Sequence, residues 1–168
     1  DADDRREPAL LLRATLAAPI TMQTDREFVT SRVLLAPRTR VFDALRDPAL
    51  LARWWGPAGF RNSFETFDFR ISGDWVFTFH GPNGTDYPNQ STFVEIVPQE
   101  RIVYDHTCMP HFRMTMKLAE AVRGPNGWEI TRMSFLGVQV PMLLPDAGHF
   151  VQEQGQAIAE AAVRHFKP

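Results

Sequence analysis

The chain changes hydrophobic period several times, and each change marks an element. Residues 27–35 ("EFVTSRVLL") read as a strand. Pro37 then suits the first turn of a helix, and Val41, Phe42 and Leu45 set an apolar stripe at helical spacing over 37–46. Asp47-Pro48 restarts a helix, with Asp as N-cap and Pro at its first position. Leu50 with Trp54, and Leu51 with Trp55, form two i,i+4 pairs on one face before Gly56-Pro57 stops the helix. Two short helices are thus predicted after the first strand.

From Phe60 onward the period is two. "FETFDFRISGDWVFTFHGPNG" predicts two strands joined at Ser72-Gly73, the second setting Trp75, Phe77 and Phe79 against Val76, Thr78 and His80. Further strands are predicted at about 88–97 and 101–107, joined by "PQE" at 98–100. In "HFRMTMKLAE", Phe112, Met114, Met116 and Leu118 alternate with Arg113, Thr115 and Lys117. After the "GPNGW" turn, a last strand to about 138 places Met133 and Phe135 on one face. Asp146 can cap a helix over 147–166 with the stripe Phe150, Val151, Gln154, Ile158, Ala161 and Ala162. Gly155 inside it costs ~1 kcal/mol against alanine, and close packing of another element would account for it.

This order predicts an α+β fold. Strands joined by short turns make an antiparallel sheet. Seven of them span roughly 30 Å at ~4.8 Å spacing, whereas a helix is only ~10–12 Å across. The seven-stranded sheet must therefore curl around the long C-terminal helix, with the two short helices closing one end. Such a grip leaves a groove suited to a small lipophilic molecule. Its candidate lining is Trp75, Phe77, Phe79, Phe112, Met114, Met116, Met133 and Phe135 from the sheet, with Phe150 and Gln154 from the helix. Methionines suit such a wall because they adapt to varied apolar shapes. Tyr104 and His106 share a strand face and are the candidate polar anchors. Trp54 and Trp55 diverge by ~100° on a helix, so one is expected in the core and the other at the cavity mouth beside Phe60.

The 168 residues fit one domain. A net charge of −2 carries no basic footprint for nucleic acid, and no apolar run reaches the ~18–20 residues that span a bilayer. The single cysteine, Cys108, excludes an internal disulfide and suits a reducing compartment, so a cytoplasmic protein is expected. The acidic start, with an apolar run broken by Arg13, does not read as a secretory signal. Residues 4–17 suit a short helix, with Asp4 and Glu7 spaced as a capping box. Met22 reads as a natural start. Residues 1–21 are then a dispensable extension, and 22–168 the single domain.

Chemical signals are sparse. His106, Cys108 and His111 in "HTCMPH" lack the further ligands that zinc needs, so neither metal nor cofactor is expected. A Cys108 nucleophile would need an adjacent base. Asp68, Arg70, His80 and Asp105 lie nearest the apolar faces, and an inward acid–base pair there would suit enolisation or cyclisation. Asp68 and Arg70 alternate with Phe67 and Phe69, however, and so face away. No phosphate loop, hydrolase triad or dinucleotide fingerprint is legible, and no catalytic residue is assigned.

"LAPRTRVFDALRDPALLARWWGP", "FDFRISGDWVFTFHGPNG", "FVEIVPQERIVYDH" and the Gly155 helix, in that order, resemble the Hsp90-ATPase-activator-homologue (AHSA1-like) family of the START or Bet v 1-like superfamily. The resemblance covers about residues 27–166 and implies a helix-grip fold with an apolar cavity. Two positions depart from the family pattern. The turn uses Ser72-Gly73 where two glycines are frequent, and Gly155-Gln156 stands where Gly-Trp is common, which removes an aromatic from the cavity side. Three functions follow as expectations: a carrier of a small lipophilic molecule, a polyketide cyclase- or dehydratase-like enzyme, and, more weakly, a chaperone-associated protein. A homodimer is left open.

Overall fold

In a computed structural model, the structure describes residues 21–23, 27–123, 129–139 and 147–166. The elements run β1 (Thr21–Gln23), β2 (Glu27–Leu34), α1 (Arg38–Arg46), α2 (Pro48–Leu51), β3 (Arg61–Phe67), β4 (Asp74–His80), β5 (Asp86–Val97), β6 (Arg101–His106), β7 (Phe112–Arg123), β8 (Glu129–Gln139) and α3 (Ala147–His165). The predicted helix over 4–17 and the Asp146 cap lie outside the described residues.

The seven predicted strands form one antiparallel, curled sheet, and the three-residue β1 adds an eighth along the edge of β2. The order is β1-β2-β8-β7-β6-β5-β4-β3. Consecutive strands from β3 to β8 are neighbours because short turns join them. β2 instead pairs with β8, from Glu27 opposite Val138 to Leu34 opposite Thr131. The strands on either side of the two short helices therefore lie far apart in the sheet, and the helical segment crosses between them.

Local chemistry sets that segment. Asp47 Oδ1 accepts hydrogen bonds from the Ala49 and Leu50 amides at 2.8 and 3.3 Å, capping α2 as its sequence suggests. Regular helix ends at Leu51, earlier than predicted, but the Trp55 amide still donates to the Leu51 carbonyl at 3.0 Å. Gly56 then takes φ +116°, and the Phe79 ring fills the place a side chain would need. Only glycine meets both demands.

The predicted alternation is the observed burial pattern. Trp75, Phe77 and Phe79 are buried in β4, as are Phe112, Met114, Met116 and Leu118 in β7. Helix α3 lies across β2 and β8, with Gly155 buried against Phe28. Among the described residues no helix is long and apolar enough to cross a membrane.

Candidate functional site: an apolar cavity with an imidazole in its floor

Between the sheet and α3 lies a cavity of about 430 Å³, within the ~300–1,000 Å³ range of small-molecule sites. It opens where β4, β5 and β6 meet the loop after α2. Phe79, Asn89, His106 and Ile158 are its buried lining residues, while Tyr87, Met109, Asp86 and Glu153 are exposed at its rim. Phe60, Pro57, Pro88 and Ala157 complete the wall. Phe60 packs against both Phe79 and Tyr87, with centroids 6.3 and 5.9 Å apart, so three rings join rim to floor.

Among the described residues, His106 is the one buried ionisable group lining this wall. Its Nδ1 lies 2.8 Å from the Pro110 carbonyl, and its Nε2 lies 3.1 Å from Asn89 Oδ1. The Asn89 amide nitrogen donates to the Tyr87 carbonyl at 2.9 Å, which fixes the amide so that its oxygen, an acceptor, faces the ring. Both imidazole nitrogens thus face acceptors, and a neutral ring can donate to only one. Burial pushes the other way: it lowers the His106 pKa, against hydrogen bonds at the backbone of Pro110 and Cys108, while His111 lowers it further. Burial is the larger effect, so the His106 pKa lies below the ordinary histidine value and the neutral form predominates at pH 7.

Phe112 stacks on His106 at 4.6 Å and 15°. Cys108 Sγ lies 3.4 Å from Nε2 and 3.9 Å from Nδ1. Distances so alike place the sulfur beside the ring rather than along one nitrogen's lone pair, which is not the alignment of a thiol handing its proton to a base. Among the described residues, no group of three or more His, Cys, Asp or Glu side chains converges as for a metal.

Of the candidate residues, Phe60, Phe79 and His106 border this cavity. Trp75, Phe77, Tyr104, Phe112, Met114, Met116, Met133 and Phe135 are buried in the core instead. Tyr104 shares the inward face with His106 as expected, but its ring meets Trp75 at 5.5 Å, and burial pushes its phenol pKa up. The side chains of Phe150 and Gln154 lie outside the described residues. Trp54 and Trp55 were expected to divide between core and mouth; both are buried, and neither lines the apolar cavity. They do diverge, Trp55 packing at a tilt against Trp75 at 4.9 Å and Trp54 against His165 and Phe166 at 5.9 and 5.5 Å. Both also border a smaller hollow of about 310 Å³ between the tryptophan turn and α3, which Arg53, Arg164 and His165 make polar.

Sequence reasoning missed Asn89, Tyr87, Met109 and Glu153. Asn89 carried a usable signal: with Ser91 and Phe93 it forms the inward face of β5, and a polar residue on an inward face asks for a partner. Of the remaining polar candidates, Asp68 pairs with Arg70 at 2.7 Å and Asp105 with Arg113 at 2.7 Å, both pairs in partly exposed settings.

Comparison with known proteins agrees with this architecture. A protein from Chromobacterium violaceum is 26% identical with a TM-score of 0.68, over 84% of this chain and 98% of its own. A Mycobacterium smegmatis protein is 18% identical with a TM-score of 0.71, over 88% and 93%. An AHSA1-like protein from Aeromonas hydrophila is 15% identical with a TM-score of 0.61, over 82% and 90%. No curated protein matches the chain. The family model described as Activator of Hsp90 ATPase homolog 1-like protein matches residues 35–133, the span from the first short helix to the last strand, and the chain belongs to that family.

Proposed function

We propose that the protein binds a small lipophilic molecule in the cavity between the sheet and α3, and that residues 22–168 form the binding domain. The observation that carries this reading is the wall itself: aromatic and aliphatic side chains around about 430 Å³, with His106 and Asn89 supplying a polar pair in the floor. Apolar area drives such binding, and a few fixed polar groups orient the ligand. On this reading the protein works in the cytoplasm, and light scattering distinguishes monomer from homodimer.

The probe is 1-anilinonaphthalene-8-sulfonate, titrated by fluorescence, with native mass spectrometry of gently purified protein to reveal a co-purified ligand. Ala157→Trp should fill the cavity from a half-buried wall position, weakening dye binding by about tenfold or more with little change in melting temperature. Absence of saturable dye binding, or an A157W variant that binds as well as the parent, would overturn the proposal.

A cyclase- or dehydratase-like enzyme is the second reading, favoured by His106 and Glu153 bordering one cavity. His106 would have to release Pro110 or Asn89 to handle a substrate proton, which makes binding the better-supported role. The chaperone-associated reading looked to an exposed patch at Trp54 and Trp55, and both rings are buried.

A further inference from the structure

A hydroxyl, an imidazole and a carboxylate meet on the outer face of the sheet. Ser63 Oγ lies 2.7 Å from His80 Nε2, and His80 Nδ1 lies 2.7 Å from Asp86 Oδ1. Three adjacent strands build the relay. His80, at the end of β4, sits opposite Arg61 of β3 and Asp86 of β5. Ser63 follows Arg61 by two residues and so shares its strand face. These side chains point away from the core: Ser63 and Asp86 are exposed and His80 half-exposed, whereas the intervening Asn62 turns inward, its amide nitrogen 2.6 Å from the Trp55 carbonyl.

The bonding pattern has a direction. An ionised carboxylate only accepts hydrogen bonds, so Asp86 holds the proton on His80 Nδ1 and leaves Nε2 as the acceptor facing the Ser63 hydroxyl. That is the arrangement by which an imidazole activates a serine. The chain order Ser–His–Asp fits no hydrolase motif, because strand register rather than sequence spacing brings the groups together.

We infer that Ser63, His80 and Asp86 form an acyl-transfer site for small aryl esters; Asp86 also borders the cavity rim, whereas Ser63 and His80 stand outside the cavity wall, and the inference does not require the cavity to hold a ligand. In the first step, Ser63 Oγ bonds to the ester carbonyl carbon as its proton passes to His80 Nε2. The C–O bond to the aryl group then breaks, and the phenolate takes that proton. Water next attacks the acyl-serine, giving its proton to Nε2, and the serine leaves by taking it back, releasing a carboxylic acid. Asp86 is a positioning residue. β3 ends the sheet, so alternate backbone N–H groups along it point away from β4, and Arg61 adds a positive charge on the face of Ser63. Ser63 and His80 stand on an open face outside the cavity wall, which is why aryl esters, with good leaving groups, are the class the site fits.

The test is reaction of the intact chain with a fluorophosphonate, in which the serine oxygen bonds to phosphorus and fluoride leaves. Peptide mass spectrometry should place the adduct on Ser63, and Ser63→Ala should abolish it while leaving dye binding in the cavity unchanged. His80→Ala should slow labelling by about 100-fold or more, the scale of a lost general base. His80→Gln, nearer in size, gives the same comparison if the alanine variant melts early. Asp86→Asn should slow labelling and move His80 toward the Nε2–H tautomer, read by 15N NMR; a tautomer change with undiminished labelling would show that the contact is structural and overturn the positioning role. No adduct under conditions that label a serine esterase, an adduct elsewhere, or undiminished labelling in both His80 variants would overturn the inference.

Discussion

The Phe28 ring occupies the space in which Gly155 lacks a side chain. A Cβ at 155 would meet Phe28 Cε1 at 2.6 Å and Cδ1 at 2.9 Å. Phe28 is itself buried, in the strand that α3 crosses, so the ring has little room to retreat. The glycine thus sets how closely the helix approaches the sheet, and with it the cavity beyond.

Gly155→Ala places two effects in opposition. Helix propensity favours alanine by ~1 kcal/mol, whereas overpacking a tight contact costs ~1–3 kcal/mol. The clash should win by ~1 kcal/mol, read as a lower urea midpoint with an unchanged slope. In a Phe28→Leu background the same change should become neutral or stabilising, because the ring edge is gone. Equal losses in both backgrounds would show that the contact does not govern the position.

Trp54→Ala and Trp55→Ala should each cost ~3–5 kcal/mol, the usual range for truncating a buried aromatic. Neither should change dye affinity measured on the native fraction, since neither ring lines the cavity. A selective loss of binding in one variant would return that tryptophan to the mouth.

Acid should weaken the fold before the carboxylates titrate. Burial lowers the pKa of His106, and burial with Arg40 and Arg53 lowers that of His165. Both sit below the ordinary histidine value of 6.5, so the unfolded chain takes up protons first as pH falls. The contribution is present above that value and is lost as pH drops from it toward the folded pKa values. Unfolding free energy should therefore fall between about pH 7 and 5, and His106→Gln should make that fall shallower. A steeper fall in the variant would mean that Pro110 and Asn89 hold a charged imidazole.

The pattern of the chain determined which residues face inward. Period two from Phe60 onward placed Trp75, Phe77 and Phe79 together, and the helical stripe around Val41 and Leu45 did the same for α1. Side-chain direction along a strand or helix is a local property, so a reading of neighbours recovers it. Gly155 was legible as a mark of close packing, though not as a contact with Phe28.

Tertiary structure alone decided which inward faces are filled and which border empty space. Met114 and Phe79 look equivalent in the sequence, yet Met114 is sealed in the core while Phe79 borders the cavity. The difference depends on where α3 crosses the sheet, over β8 just before it in the chain and over β2 more than a hundred residues away. The same holds for Trp54, sealed by His165 and Phe166, and for Ser63, His80 and Asp86, aligned by strand register across two turns. Periodicity tells each residue which way to face; the distance to what it faces is set by long-range packing, and both the cavity and the outer-face relay depend on that distance.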